Sequence, residues 1–326
     1  MSLKKFGNGV SKISFFIFKL DSIRNKLLKR FNFFLGVMIM LNICYITDSN
    51  YLEYTKISID SILRSKNRKS SIIFHIILDN VTGSGCTEVM KIKDLIENNN
   101  CQCKFYENVS FKDIIDEELL NNIHRERHVS KSALLKFLIP EVLNKLDKVI
   151  YIDGDTLILK DLFELWNIDL DKQDKSIAAV KDFGLLSVWR NEHNPFIRNN
   201  TYFQSGQMLM NLKKLRDIKF AKRAIECKLT KYCNGGFMDQ HVFNDVLNGD
   251  VIYLPPKYSV SLHKMVQGNK YYADISKYNK IFGTDYGNIF ALILDAVIIH
   301  FHGNKKEMLE NKVIKGFYNQ LLNRIN

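Results

Sequence analysis

Lys148-Val149-Ile150-Tyr151-Ile152-Asp153-Gly154-Asp155-Thr156-Leu157-Ile158-Leu159 is an apolar run that breaks at two carboxylates set two residues apart. A buried strand delivers side chains to its carboxyl end, and in open α/β sheets ligands collect in the crevice outside that end. Asp153 and Asp155 offer hard oxygen donors there, suited to Mg²⁺ or Mn²⁺, and such an ion neutralises a diphosphate. Alone, the pair also fits a solvated turn after a buried strand. The rest of the chain decides.

Upstream, from residue 41, apolar runs of strand length alternate with segments of helical spacing. The pattern predicts strands at 41–47, 71–78 and 103–106, with helices at 52–63 and 88–96 between them. Strand-helix-strand repetition implies a parallel sheet with right-handed crossovers, a nucleotide-binding half of Rossmann type. Neither Gly-x-Gly-x-x-Gly nor a Walker A sequence occurs, so phosphates need a metal and cations rather than a glycine cradle. The first strand ends instead in Asp48 and Asn50, acceptors for ribose or base groups. A helix predicted over 130–146, interrupted near Pro140, carries Lys136 into the Asp-x-Asp strand.

Downstream, a strand is predicted at 176–181, and the stretch 202–212 precedes a basic helix. A last apolar strand at 296–301 finishes in His300-Phe301-His302-Gly303-Asn304-Lys305-Lys306. His75, His128 and His302 read as structural histidines. The 326 residues, 46% hydrophobic, can bury a large core, and they divide into a basic extension at 1–36 and one α/β domain at 37–326.

Lys and Arg outnumber Asp and Glu by 47 to 35, which favours anionic partners. The first thirty positions hold eight Lys or Arg against the single acid Asp21, interleaved with Phe, Ile and Leu at helical spacing. Such a helix either lies on an anionic membrane surface or packs its apolar stripe on the protein's own body. No nucleic-acid fold signature accompanies the charge, so no specific nucleic-acid partner is expected. Six cysteines without zinc spacing read as reduced thiols, and no cleavable leader is apparent, so a cytoplasmic protein is predicted, peripheral on the inner membrane face if the extension binds there. A phosphohydrolase of the Asp-x-Asp-x-Thr kind is disfavoured: position 157 is Leu, and no Asp-Asp pair occurs.

Four blocks in order carry a resemblance. They are Ile43-Cys44-Tyr45-Ile46-Thr47-Asp48-Ser49-Asn50-Tyr51; His128 through Lys136 into Asp153-Gly154-Asp155; Tyr202-Phe203-Gln204-Ser205-Gly206 with Asn211-Leu212-Lys213-Lys214; and Asp239-Gln240 followed by His300, Gly303 and Lys306. Over about four fifths of its length the chain resembles glycosyltransferase family 8, retaining nucleotide-sugar transferases that include bacterial lipopolysaccharide galactosyl- and glucosyltransferases and glycogenin. The resemblance implies a GT-A fold with a mixed central sheet and hexose transfer from a UDP-sugar to a glycan or glycolipid acceptor such as lipopolysaccharide core.

It also implies residue roles. Asp153, Asp155 and His300 would ligate Mn²⁺, with Mg²⁺ as a substitute, and Gly154 lies between the two carboxylates at the cofactor. Asp48 and Asn50 would contact uridine and ribose, Lys136 would stand near the donor where the family often has Arg, and Gly303 and Lys306 would contact the phosphates. Gln204, Ser205, Asp239 and Gln240 would surround the donor sugar, with Gln240 nearest the anomeric carbon, and Asp182 would reach a hydroxyl. Two departures stand out: Gln204 replaces a common Asn, and Glu307-Met308 follow where Pro-Trp is common.

Overall fold

The computed structural model describes residues 39–67, 70–112, 131–188, 201–231, 238–261 and 274–301. The basic extension 1–36, His128, His302, Gly303 and Lys306 lie outside the described residues. The first apolar runs form β1 (Ile39–Asp48), β2 (Ser70–Asp79) and β3 (Gln102–Tyr106), separated by helices α1 (Leu52–Ser65) and α2 (Ser84–Glu97). These strands pair in parallel, as βαβ crossovers require. Further along, β4 (Lys148–Ile152) also pairs in parallel with β1, on the side away from β2. The chain therefore winds outward in both directions from the β1/β4 boundary, and a ligand crevice opens at such a switch point. Asp48 closes β1 and Asp153 follows β4, so both acids stand at that crevice.

One strand, the fifth across the sheet, breaks its parallel order. β7 (Phe203–Asn211) runs antiparallel to both β4 and β6 (Ile177–Lys181), and β8 (Val251–Leu254) pairs in parallel with β6, giving the order β3-β2-β1-β4-β7-β6-β8. The nucleotide-binding half is parallel, as its strand-helix alternation predicts, and the whole sheet is mixed, as the family resemblance implies. Every residue of β7 is buried, so it carries no in-out alternation from which its direction could be read. Between Phe203 and Met208, five residue steps on β7 span two on β6, from Lys181 to Ala179, so β7 bulges at 204–207. Within that bulge Ser205 reaches Asp239 and Gln204 reaches Ser259.

Outside the main sheet, β5 (Thr156–Ile158) pairs antiparallel with β9 (Ile298–His300), and Thr156 lies opposite His300. The predicted helix over 130–146 is three short pieces, α3 (Lys131–Leu134), a 3₁₀ turn (Leu135–Leu138) and α4 (Ile139–Val142). Pro140 lacks an N–H and its ring crowds the carbonyl four residues back, so the regular ladder cannot run through. The broken segment still packs well. Phe137 meets Phe220 and Phe243 at ring-centroid distances of 6.2 and 5.4 Å, on the sheet face that also buries Met208 and Met210. α1 covers the opposite face with Ile59 and Ile62.

One buried histidine makes stability pH-dependent. His75, on β2, faces Tyr106 Oη at 2.9 Å through Nδ1 and Asn42 Oδ1 at 3.0 Å through Nε2. Burial, helped by the charge of Lys104, lowers its pKa from 6.5 to about 4. The unfolded chain then binds this proton first on acidification, so the stabilisation is complete above the unfolded pKa and lost as pH falls toward 4. Urea titrations at pH 7 and pH 4.5 should show a loss of up to about 2 kcal/mol from this group. His75→Gln should flatten that part of the profile; an equally steep profile in the variant would exclude His75 as its source.

Candidate active site

A cleft of about 200 Å³ opens at the carboxyl ends of β1 and β4, and its lining includes Asp48, Tyr51, Ser132, Lys136, Tyr151, Asp153 and Asp155. Asp153 is placed just past β4, where its backbone N–H donates to the Gly206 carbonyl at 2.8 Å. The turn that follows is closed by Thr156 Oγ1 donating to the Asp153 carbonyl at 3.0 Å. The β5–β9 ladder then brings in the far end of the chain. Phe301 N–H donates to the Asp155 carbonyl at 2.9 Å, and His300 Nε2 stands 3.2 Å from Asp155 Oδ1 and 3.7 Å from Asp153 Oδ2.

Donor atoms of Asp153, Asp155 and His300 lie within 4.8 Å of one another. Two carboxylates and one imidazole converging in this way fit a divalent cation of the Mn²⁺ or Mg²⁺ kind, and three protein ligands leave coordination positions open. The space beside them is preserved by Gly206, where an added methyl would press on the His300 ring and on Asp153 Oδ2. Gly154 has a different reason for its small size: a methyl there would meet Thr55 Oγ1, on α1, at 2.5 Å. It lets α1 close on the turn.

The two oxygens of Asp153 have different surroundings. Oδ1 accepts from Tyr151 Oη at 2.5 Å and lies 3.1 Å from Lys136 Nζ, whereas Oδ2 faces His300. Burial raises the Asp153 carboxyl above its ordinary range; Lys136 opposes this, Asp155 adds to it, and His300 and the Tyr151 hydrogen bond oppose it again. For Lys136, burial acts to lower the pKa, but the charges of Asp153 and Asp239 outweigh it and raise the ammonium above its usual value. Lys136 is therefore a permanent cation in the cleft wall.

From Lys136 a polar chain continues away from the carboxylates. Its Nζ donates to Asp239 Oδ2 at 2.7 Å, which also accepts from Ser205 Oγ at 2.8 Å. Ser205 N–H donates to Gln240 Oε1 at 3.3 Å, and Gln240 Nε2 donates to Asp182 Oδ2 at 2.9 Å. Asp239 and Gln240 come from the first turn of α5 (Met238–Val246) and Ser205 from the β7 bulge.

Gln204 turns elsewhere. Its amide Oε1 accepts from Ser259 Oγ at 2.5 Å, in a buried pocket between Lys181, Phe183 and Tyr278. On the other side of the cleft, Asp48 Oδ1 accepts the backbone N–H groups of Asn50 and Tyr51 at 2.9 and 3.1 Å, and Asn50 is exposed. Ser132 Oγ lies 2.6 Å from Asp79 Oδ2 and 3.5 Å from Asp48 Oδ2. The fold thus gathers Asp153, Asp155, His300, Lys136, Ser205, Asp239, Gln240 and Asp182 into one connected site, with Asp48 and Asn50 at its rim. Sequence reasoning passed over Tyr151 and Ser132. The signal for Tyr151 was its place two residues before Asp153, which puts both side chains on one face of the strand line.

The mixed sheet, with its acidic pair at the switch point, is a GT-A fold, which it shares with solved glycosyltransferase structures. LgtC galactosyltransferase in complex with donor and acceptor sugar analogues superposes with a TM-score of 0.65 at 19% identity, covering 87% of this chain and 96% of LgtC. The bifunctional glycosyltransferase WbbM superposes with the same TM-score at 20% identity, over 87% of this chain and 52% of WbbM. The sequence model described as Glycosyl transferase family 8 matches residues 42–307, and the chain belongs to that family. Among its relatives, lipopolysaccharide 1,2-glucosyltransferase of Escherichia coli (strain K12) is 27% identical over 232 residues, 67% of this chain and 62% of the relative. A putative glycosyltransferase of Haemophilus influenzae (strain ATCC 51907 / DSM 11121 / KW20 / Rd) is 26% identical over 222 residues, 67% of this chain and 63% of the relative. The chain thus spans a little under two thirds of the length of these two relatives.

Proposed function

We propose that the protein is a retaining, Mn²⁺-dependent hexosyltransferase that moves galactose or glucose from a UDP-sugar to a bacterial surface glycan such as lipopolysaccharide core. The observation that carries this reading is the convergence of Asp153, Asp155 and His300, from two distant parts of the chain, at the crevice bordered by Asp48. Family membership and the names of the relatives support the choice of donor and acceptor. Mn²⁺ held by the three ligands would supply positive charge to the diphosphate leaving group, and Mg²⁺ is the natural substitute. Gly303 and Lys306, outside the described residues, are assigned to the phosphates. Asp48 and Asn50 are assigned to uridine and ribose.

Lys136, Asp239, Ser205, Gln240 and Asp182 form the wall assigned to the donor sugar, each held by its neighbour and so pre-set for hydroxyl groups. Gln240 is the residue assigned to the anomeric carbon. Its amide is engaged at both ends and is a poor nucleophile, which favours a front-face reaction in which the departing diphosphate accepts the proton of the acceptor hydroxyl. With Gln204 bound to Ser259, that position acts on the sugar pocket through the β7 backbone. Incubating the protein with UDP-galactose or UDP-glucose, Mn²⁺ and a truncated lipopolysaccharide acceptor, and reading the new linkage by NMR, tests the reading. An α-linked product is expected; a β-linked product contradicts the mechanism.

A further inference from the structure

We propose that Tyr151 is a positioning residue for the metal: its hydroxyl holds one oxygen of Asp153 so that the carboxylate presents the other, Oδ2, as a one-oxygen ligand. The inference rests on the reading of Asp153, Asp155 and His300 as the metal site and adds to it a residue that contacts neither ion nor substrate. A carboxylate on a strand-end turn has two free torsions and two equivalent oxygens, so position alone leaves it several ways to meet a cation. Here the choice is made by neighbours. Tyr151 Oη donates to Oδ1 at 2.5 Å, a charge-assisted distance, and Lys136 Nζ stands 3.1 Å from the same oxygen. Oδ2 is left toward His300 Nε2 at 3.7 Å, beside Gly206, which has no side chain to cover it.

Tyr151 can hold this position because it has little freedom of its own. It is 1% exposed, sits opposite Cys44 of β1 and Met208 of β7 in the centre of the sheet, and lies with its ring 5.2 Å from Lys136 Nζ. Lys136 is shared with Asp239, so its pull on Asp153 is divided. Tyr151 is committed to Asp153. Hydrogen-bond partners of metal-ligating groups fix ligand orientation, and their removal costs about 10- to 100-fold in metal affinity. The plainer alternative is that Tyr151 only fills the core and its hydroxyl takes the nearest acceptor. In that case the ring matters and the oxygen does not.

Tyr151→Phe separates the two, since it keeps the ring and removes only the hydroxyl. Full-length wild type, Tyr151→Phe and Asp155→Asn would be titrated with Mn²⁺ in the presence of UDP, with unbound Mn²⁺ read by electron paramagnetic resonance and unfolding followed in EDTA. The expected result is a Kd for Mn²⁺ weakened about 10- to 100-fold in Tyr151→Phe, with KM for Mn²⁺ rising by the larger factor and kcat at saturating Mn²⁺ falling by the smaller. Should the phenylalanine variant fail to fold, Tyr151→Met keeps an apolar side chain without the hydroxyl and should show the same loss. Wild-type Mn²⁺ affinity in either folded variant, alongside lost binding in Asp155→Asn, overturns the positioning role and leaves the metal site standing. No Mn²⁺ binding by the wild type overturns both.

Discussion

Asp153→Asn and Asp155→Asn should each abolish Mn²⁺-dependent UDP binding while the protein stays folded. Asp155 is 5% exposed and Asp153 carries a 24% exposed side chain, yet both face the cleft and each other across His300, so neither holds two layers of core together. An amide has nearly the shape of the carboxylate and still accepts hydrogen bonds, but it removes one of the two negative charges offered to the cation. Metal assistance to a leaving group is worth several kcal/mol, so the loss in kcat/KM should reach at least about 100-fold. Calorimetry with UDP and Mn²⁺ on each folded variant checks this. Binding as tight as in the wild type would remove the metal assignment.

Lys136→Met should produce the largest loss of stability. The Lys136 side chain is 9% exposed and its ammonium lies between Asp153 and Asp239, at 3.1 and 2.7 Å. Methionine fills a similar volume and leaves two half-buried carboxylates facing each other without a cation. Removing one partner of a buried ion pair costs about 3–5 kcal/mol, much more than the pair is worth over an apolar replacement of both sides. Adding saturating Mn²⁺ and UDP should recover part of the loss, because a cation beside Asp153 binds only the folded chain. Lys136→Arg keeps the charge and should stay close to the wild type in stability. Urea unfolding of the three proteins, with and without Mn²⁺ and UDP, decides; an unchanged midpoint in Lys136→Met would mean that the two carboxylates do not depend on Lys136.

Much of this arrangement is legible in the chain because it is local. The apolar runs of β1 and β2 and their intervening helices follow from periodicity, and Asp153-Gly154-Asp155 marks its own strand end. What periodicity could not supply is long-range. His300 reaches Asp155 only because β9 pairs with β5, a contact 145 residues apart, and the resemblance rather than any spacing pointed to it. The direction of β7 was invisible because a strand buried on both faces carries no alternation. Its bulge, which sends Ser205 to Asp239 and Gln204 to Ser259, depends on register with β6. Tyr151 was hidden for another reason: an aromatic residue in an apolar strand reads as core, which it is, and only the position of its hydroxyl gives it a second task.

Metal-dependent sugar transfer is tested most directly by UDP release from UDP-galactose and UDP-glucose by the full-length protein with acceptor present, measured with Mn²⁺, after EDTA, and after Mn²⁺ is restored. Turnover of at least one of the two donors is expected, lost in EDTA and regained with Mn²⁺. Turnover that persists undiminished in EDTA, or none with either donor in Mn²⁺, would contradict metal-dependent transfer.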